Sequence, residues 1–208
     1  VRLLMGEKGI GYELVREHPW ERRDEFVDLN PAGQTPVIVE SEKNITLINS
    51  VVICEYFEET VEQSPMISGT AINRAEIRRL SAWFDEQFHG AVVAPLMMER
   101  MLKRIVHRAT PDTSALREAM KAANNMLDYA DYLLDHRNWL AGATLSLADL
   151  TAAAHISVAD YLGGIDWRAH EQTRNWYSGL KSRPSFRPLL AERMGVIAPP
   201  ADYDKVDF

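Results

Sequence analysis

The chain has one cysteine and six histidines, and neither residue type is clustered. Cys54 alone cannot form an internal disulfide, which fits a reducing compartment. On the predicted helix it falls on the apolar side, where a buried and inert thiol is expected. The histidines stand at positions 18, 89, 107, 136, 155 and 170. No two have the spacing of metal ligands, so the sequence predicts no metal site.

Long apolar runs and a basic excess are also absent. No stretch approaches the roughly 20 apolar residues of a membrane helix, and Glu7 and Lys8 interrupt the opening run as no signal peptide would. The formal charge of −7 argues against a nucleic-acid partner. With 46% hydrophobic residues the composition is that of a globular protein. We therefore expect a cytoplasmic protein without membrane insertion.

The first 62 residues mix helical and strand patterns. A helix over residues 1–8 is expected to end at Gly9, and the alternation of apolar and polar residues from Tyr12 to Arg16 predicts a strand. Two β-branched runs, Val37–Glu40 and Ile45–Ile48, flank a polar turn and predict a hairpin. An apolar helix follows Ser50. This segment has the character of a small α/β domain.

The rest of the chain is helical in pattern. Residues 63–73 contain Pro65 and Gly69 and are predicted to be a linker, and residues 74–197 an all-helical domain. One long helix is expected over 74–106, with a bend at Pro95, and another over 114–136. Residues 198–208 include two prolines and are predicted to form an extended tail.

Ser146 and Asp149 have the spacing of a capping box. Each can hydrogen-bond the backbone N–H of the other, and a helix is expected to begin directly after Ser146.

Two features of the small domain suggest a ligand site. A cis bond before Pro36 would leave the backbone N–H and C=O of Thr35 free for an extended peptide, although a trans proline at a strand start explains the sequence equally well. Ser50, at the predicted N-cap, could help to hold a small carboxylate at the positive end of a helix. The alternative is an ordinary helix cap.

This combination of proline loop, hairpin, capped helix, linker and helical domain resembles the cytosolic glutathione transferase family over nearly the whole chain. The resemblance implies a thioredoxin-like domain, with its first strand missing here, and an all-helical domain. It also implies that Thr35 and Pro36 present backbone groups to glutathione while Ser50 holds its γ-glutamyl carboxylate.

Two departures from the family argue against transferase chemistry. The family's activating Tyr, Ser or Cys lies on the first strand or the turn after it, and the chain begins beyond that point. The residue before the capping Ser is usually Gln or Glu, whereas Asn49 is shorter and reaches less far. If the chain is a transferase nonetheless, we expect its electrophile near Trp83 and Phe88.

Charged and aromatic residues outside this site are candidates for partner contact. Trp20 lies beside Arg22 and Arg23 in a predicted surface turn, and aromatics and arginines dominate binding hot spots. The basic residues Arg100, Lys103 and Arg104 are predicted to share a helix face, which is either solvated or a patch for an acidic partner. The tail interleaves Asp204 and Asp207 with apolar side chains, as a docking peptide would. It could equally be disordered or lie across the protein's own surface.

A narrower resemblance is to the FtsZ-localised protein A family of alphaproteobacteria, through residues 17–23, the loop 30–33, the helix 74–104 and the tail. It implies a non-catalytic homodimer at the division site that binds FtsZ filaments, promotes their curvature or bundling and regulates constriction. The alternatives are a glutathione transferase acting on small electrophiles, with glutathione as its only cofactor, and a stress- or redox-type relative.

Overall fold

The computed structural model describes residues 1–195 and 197–206. The chain divides into two compact units, and the boundary lies between Pro65 and Met66, inside the predicted linker. Within the described residues, no helix is both long and apolar enough to cross a membrane. The division into a mixed unit and a helical unit agrees with the predicted fold class.

The first unit contains three helices and two strands. Its small core combines Leu3, Leu4 and Met5 with Phe26, Ile53 and Phe57. Lys8 is buried beside this core, where it donates to the carbonyls of Val61 and Gln63 and pairs with Glu58. The elements are α1 (Arg2–Lys8), α2 (Asp24–Leu29), β1 (Val37–Glu40), β2 (Ile45–Ile48) and α3 (Ser50–Thr60).

The predicted hairpin is confirmed with the predicted bounds. β1 and β2 are antiparallel, and Val37 pairs with Ile48 at the end away from the turn. α1 ends as predicted at Gly9, whose φ of 69° is the left-handed conformation that favours glycine at a helix C-terminus.

The predicted strand from Tyr12 to Arg16 is wrong. The segment is irregular, and Leu14 and Val15 are 53% and 73% exposed. A strand exists only through hydrogen bonds to a neighbouring strand. In the part of the chain that the structure describes, the sheet consists of β1 and β2 alone, so this segment has no partner.

The second unit is helical. Its elements are α4 (Ala71–Trp83), a π-helical segment (Phe84–Val93), α5 (Ala94–Met97), a second π-helical segment (Met98–Leu102), α6 (Lys103–Ile105), α7 (Thr113–His136), α8 (Leu147–Tyr161), α9 (Glu171–Lys181) and α10 (Arg187–Leu190). The elements from α4 to α6 form the predicted long helix. Pro95 lies in α5, between the two π-helical segments. In a π-helix each hydrogen bond joins residues five apart instead of four.

The long helix begins three residues earlier than predicted. Thr70 and Asn73 form a capping box: the Asn73 side chain accepts from the Thr70 N–H at 3.0 Å, and the Asn73 N–H donates to the Thr70 hydroxyl at 3.4 Å. Because these two polar residues satisfy the first free N–H groups of the helix, residues 71–73 are helical instead of linker.

α8 is the central helix of this unit. It is buried almost all round, and the alanines Ala148, Ala152, Ala153 and Ala159 are fully inaccessible. α4 and the first π-helical segment pack against it. α7 has the amphipathic stripe that the sequence predicted, with Ala123 and Leu127 at its centre, and it packs against α9.

The predicted capping box at the start of α8 is present. One oxygen of Asp149 accepts from the N–H and the hydroxyl of Ser146 at 3.0 and 2.7 Å. The other accepts from the Leu140 N–H at 2.9 Å and the Trp176 indole at 3.0 Å. Asp149 is fully buried, and burial raises the pKa of its carboxyl although the four donors oppose this. The residue thus joins α8 to a loop and to α9.

Candidate functional site

The proline loop of the first unit has the backbone conformation required for the predicted site. The Thr35–Pro36 peptide bond is cis, which decides between the two alternatives that the sequence left open, and Thr35 is exposed. Asn30 shapes the loop: its amide group donates to the Gln34 carbonyl at 2.7 Å and accepts from the Ala32 N–H at 3.1 Å. This buried asparagine is not among the predicted site residues.

The hairpin brings the predicted glutathione-site residues together. Because Val37 pairs with Ile48, the residues that flank this pair, Pro36 and Asn49, lie at the same end of the hairpin. Ser50 follows directly as the first residue of α3. Its predicted role as the N-cap is wrong, because the cap is Asn49.

Asn49 changes what the start of α3 can bind. Its side-chain oxygen accepts from the N–H of Val51 at 2.8 Å and from that of Val52 at 3.5 Å. Free N–H groups at a helix start are what would attract a carboxylate. The amide oxygen of Asn49 already occupies two of them, while Ser50 is half-buried beside them.

Trp20 lies on the surface of the first unit, in a 3₁₀ turn formed by Pro19–Glu21. It is 39% exposed, and its ring centroid is 4.8 Å from that of His18. The two rings are tilted by 30° and restrict each other, so the pair offers a rigid aromatic contact with little side-chain freedom left to lose on binding.

The neighbouring arginines have different surroundings. Arg23 donates to Glu17 at 2.6 Å, and this hydrogen bond lowers the pKa of the Glu17 carboxyl. Arg22 is exposed and lies over the proline loop, with its Nη1 3.5 Å from the position that a Cβ on Gly33 would take. Arg22 therefore places a positive charge beside that loop, whereas the charge of Arg23 is neutralised locally.

The predicted basic face of the long helix does not form as one patch. Arg100 donates to the Leu162 carbonyl at the end of α8, and burial lowers the pKa of its guanidinium. Lys103 pairs with Glu99 at 2.6 Å and is 25% exposed. Among the three, Arg104 alone is exposed to solvent, whereas Arg100 and Lys103 are partly buried. A 3.6-residue period shows which residues share a face but not which of them find partners inside the unit.

The tail is not the extended segment that was predicted. Tyr203 is only 4% exposed, its hydroxyl lies 2.9 Å from the Ser157 hydroxyl, and its ring centroid is 5.0 Å from that of Tyr161. The residues around it, 201–204, form a turn. Tyr203 therefore anchors the tail to α8, which agrees with the alternative that the tail lies across the protein's own surface.

The acidic residues of the tail remain at the surface. Asp204 is 58% exposed and lies 4.0 Å from Arg193. Asp207, the other predicted contact, lies outside the described residues.

Of the two residues predicted to lie near an electrophile, Trp83 and Phe88, only Trp83 is accessible. Phe88 is completely buried within the helical unit and cannot line an open site. Trp83 is partly exposed, with its ring centroid 5.3 Å from that of Tyr129.

Comparison with known proteins decides the family. The model of the glutathione S-transferase N-terminal domain matches residues 1–60, and that of the C-terminal domain matches residues 93–184. FtsZ-localized protein A of Caulobacter vibrioides is 43% identical over 210 residues, which span this whole chain and 92% of that relative. The chain belongs to the glutathione S-transferase family.

Solved structures of family members agree over the full length. A glutathione S-transferase from Rhodospirillum rubrum F11 has a TM-score of 0.97 and 43% identity, covering all of this chain and 93% of that one. FzlA from C. crescentus has a TM-score of 0.96 and 42% identity, covering all of this chain and 92% of its own. The predicted fold class and both predicted resemblances are confirmed.

The structure also brings together polar residues that the sequence analysis did not connect. Asp128, Asp131 and His170 lie in one cluster of the helical unit. The only signal in the sequence was the three-residue spacing of the two aspartates on a helix. His170 is remote along the chain, so histidine spacing could not reveal the cluster.

Proposed function

We propose that this glutathione S-transferase family member is a non-catalytic, cytoplasmic protein of cell division that binds FtsZ filaments as a homodimer and promotes their curvature or bundling and constriction. The observation that carries the proposal is the 43% identity to FtsZ-localized protein A across the whole chain. The TM-score of 0.96 to FzlA supports the same reading.

The start of α3 supports the absence of transferase chemistry. The amide oxygen of Asn49 already accepts from the N–H groups of Val51 and Val52, to which a carboxylate could otherwise bind. A ligand would have to displace this cap, and losing an asparagine cap costs about 1 kcal/mol. That cost corresponds to roughly fivefold weaker binding.

Trp20 is the strongest candidate for filament contact. It combines a half-exposed aromatic ring with the exposed charge of Arg22 next to it. Aromatic and arginine side chains contribute most to binding hot spots. Asp204 and Arg104 are exposed charges of the helical unit and are secondary candidates, which affect association more through steering than through buried contact. In a homodimer each contact occurs twice, so one dimer could bridge two filaments even if each contact is weak.

The test is co-sedimentation with FtsZ polymerised with GTP, together with electron microscopy of the filaments. We expect the wild-type protein to pellet with filaments and to curve or bundle them. Trp20→Ala should weaken binding at least tenfold, as expected for a hot spot. Tyr132→Ala is the matched control, because Tyr132 is an aromatic that is 61% exposed on the helical unit.

The proposal fails if the wild-type protein stays in the supernatant at every FtsZ concentration tested. The assignment of Trp20 fails if both variants bind equally well. Circular dichroism melts of all three proteins exclude unfolding as the cause.

A glutathione transferase is the second candidate, and the cis Thr35–Pro36 bond with an exposed Thr35 favours it. Calorimetric titration with glutathione separates the two. We expect millimolar binding or none, whereas micromolar binding would support the enzyme. Asn49→Gly retains a residue suited to the φ of 81° and frees the two N–H groups, so it should bind glutathione more tightly than the wild type if Asn49 obstructs the site.

A further inference from the structure

The polar cluster of the helical unit has the composition of a metal site. Asp128 and Asp131 lie three residues apart on α7, and His170 directly precedes α9. His170 Nδ1 is 3.0 Å from an oxygen of Asp131 and 3.7 Å from an oxygen of Asp128. One nitrogen and two oxygens thus lie within 4.8 Å of one another.

The second ring nitrogen of His170 faces a hydrogen-bond acceptor. Nε2 lies 3.3 Å from the side-chain oxygen of Asn124. In the tautomer with the ring proton on Nε2, the lone pair of Nδ1 points toward the two carboxylates and is available to a metal ion. His170 is 1% exposed, so packing fixes the orientation of its ring.

The surrounding hydrogen bonds hold these groups in position. The other oxygen of Asp131 accepts from the N–H and the hydroxyl of Thr173, both at 2.7 Å. Metal-binding histidines commonly donate their second ring N–H to an acceptor, and metal-binding carboxylates are themselves hydrogen-bonded. Asn124 and Thr173 have these two positions.

We propose that Asp128, Asp131 and His170 bind one divalent transition-metal ion such as Zn²⁺ between α7 and α9. An imidazole nitrogen with two carboxylate oxygens suits Zn²⁺ better than Ca²⁺ or Mg²⁺, which prefer oxygen ligands alone. The Asp128 side chain is 71% exposed, so the ion would reach the site from solvent and keep water on its open side. The ion would link two helices that belong to different parts of the chain. None of these three residues is among the proposed FtsZ contacts.

Zinc titration of the full chain tests the proposal. Isothermal calorimetry at pH 7, and dialysis followed by elemental analysis, should give one Zn²⁺ per chain. Asp128→Asn removes the exposed ligand without disturbing the buried pair and should weaken binding at least tenfold. Asp135→Asn is the matched control, because it removes the same charge from an exposed aspartate of α7 outside the cluster.

A thermal melt provides a second measurement. Zinc should raise the melting temperature of the wild type and of Asp135→Asn, since a ligand that binds only the folded state stabilises it. The same concentration should leave Asp128→Asn almost unchanged. His155→Gln serves as a locator variant, because His155 pairs with Asp85 at 2.9 Å in another polar cluster.

Three results would overturn the proposal. The first is no zinc binding at about 100 µM, a concentration far above the dissociation constants of structural zinc sites. The second is equal binding by Asp128→Asn and Asp135→Asn. The third is loss of binding in His155→Gln but not in Asp128→Asn, which would place the ion elsewhere.

Discussion

Replacing Asp149 should destabilise the helical unit more than any other single change to a polar side chain described above. In Asp149→Ala, four donors lose their acceptor: the N–H and hydroxyl of Ser146, the Leu140 N–H and the Trp176 indole. A buried donor without a partner costs about 1–3 kcal/mol. Removing the carboxylate also removes the free-energy cost of burying its charge, the same cost that raises the pKa of Asp149. Taking the low end for each donor, we expect a loss of about 3–4 kcal/mol in the free energy of unfolding.

Urea denaturation followed by circular dichroism measures this loss, with the combined fluorescence of the five tryptophans as a second probe. Ser146→Ala is the matched variant, because it removes one of the four donors and leaves the carboxylate bound to the others. It should cost about 1 kcal/mol. Equal destabilisation by Asp149→Ala and Ser146→Ala would contradict this prediction. Such a result would mean that the cost of burying the charge cancels its hydrogen bonds.

Two further predictions concern an ion-pair network and the tail. Glu76 receives hydrogen bonds from Arg79 at 2.8 Å and Arg137 at 2.9 Å, and the first of these contributes most to lowering its pKa from 4.5 to about 2. The stabilisation from this lowered pKa is present above pH 4.5 and is lost as the pH falls toward 2. Glu76→Gln should therefore make the free energy of unfolding less dependent on pH in that range. At pH 7 the substitution should cost about 1 kcal/mol after solvent screening. Tyr203→Ala should accelerate hydrogen exchange over residues 197–206, whereas Tyr203→Phe, which loses only the contact with Ser157, should cost about 1 kcal/mol. Unchanged exchange in Tyr203→Ala would show that the tail is held by other contacts.

Local signals predicted the fold well where they act alone. The hairpin bounds, the end of α1 at Gly9 and the capping box at Ser146 depend on a few adjacent residues, and all three are present. The predicted strand from Tyr12 to Arg16 is absent. The alternation of apolar and polar residues is present, but a strand also needs a neighbouring strand to pair with. The early start of α4 at Ala71 was missed because Thr70 and Asn73 were read as linker residues, although the pair forms a capping box.

The candidate site was predicted in position but not in chemistry. Sequence located the Pro36 loop and the start of α3 but left the cis and trans forms of Pro36 open, and the hairpin register brings the two segments together. It placed the cap at Ser50 instead of Asn49, because both residue types are good caps and the choice depends on backbone angles. Contacts between distant residues were also out of reach: Arg100 with Leu162, Tyr203 with Ser157 and His170 with Asp131.

The anchoring of Tyr203 affects how the tail could take part in binding. A disordered segment that folds on its partner loses conformational entropy at that moment, and its affinity falls accordingly. Here residues 197–206 have already lost that freedom during folding, through contacts with α8 and α9. Any partner of Asp204 would therefore bind a preformed acidic surface. The rate of that association would depend on ionic strength.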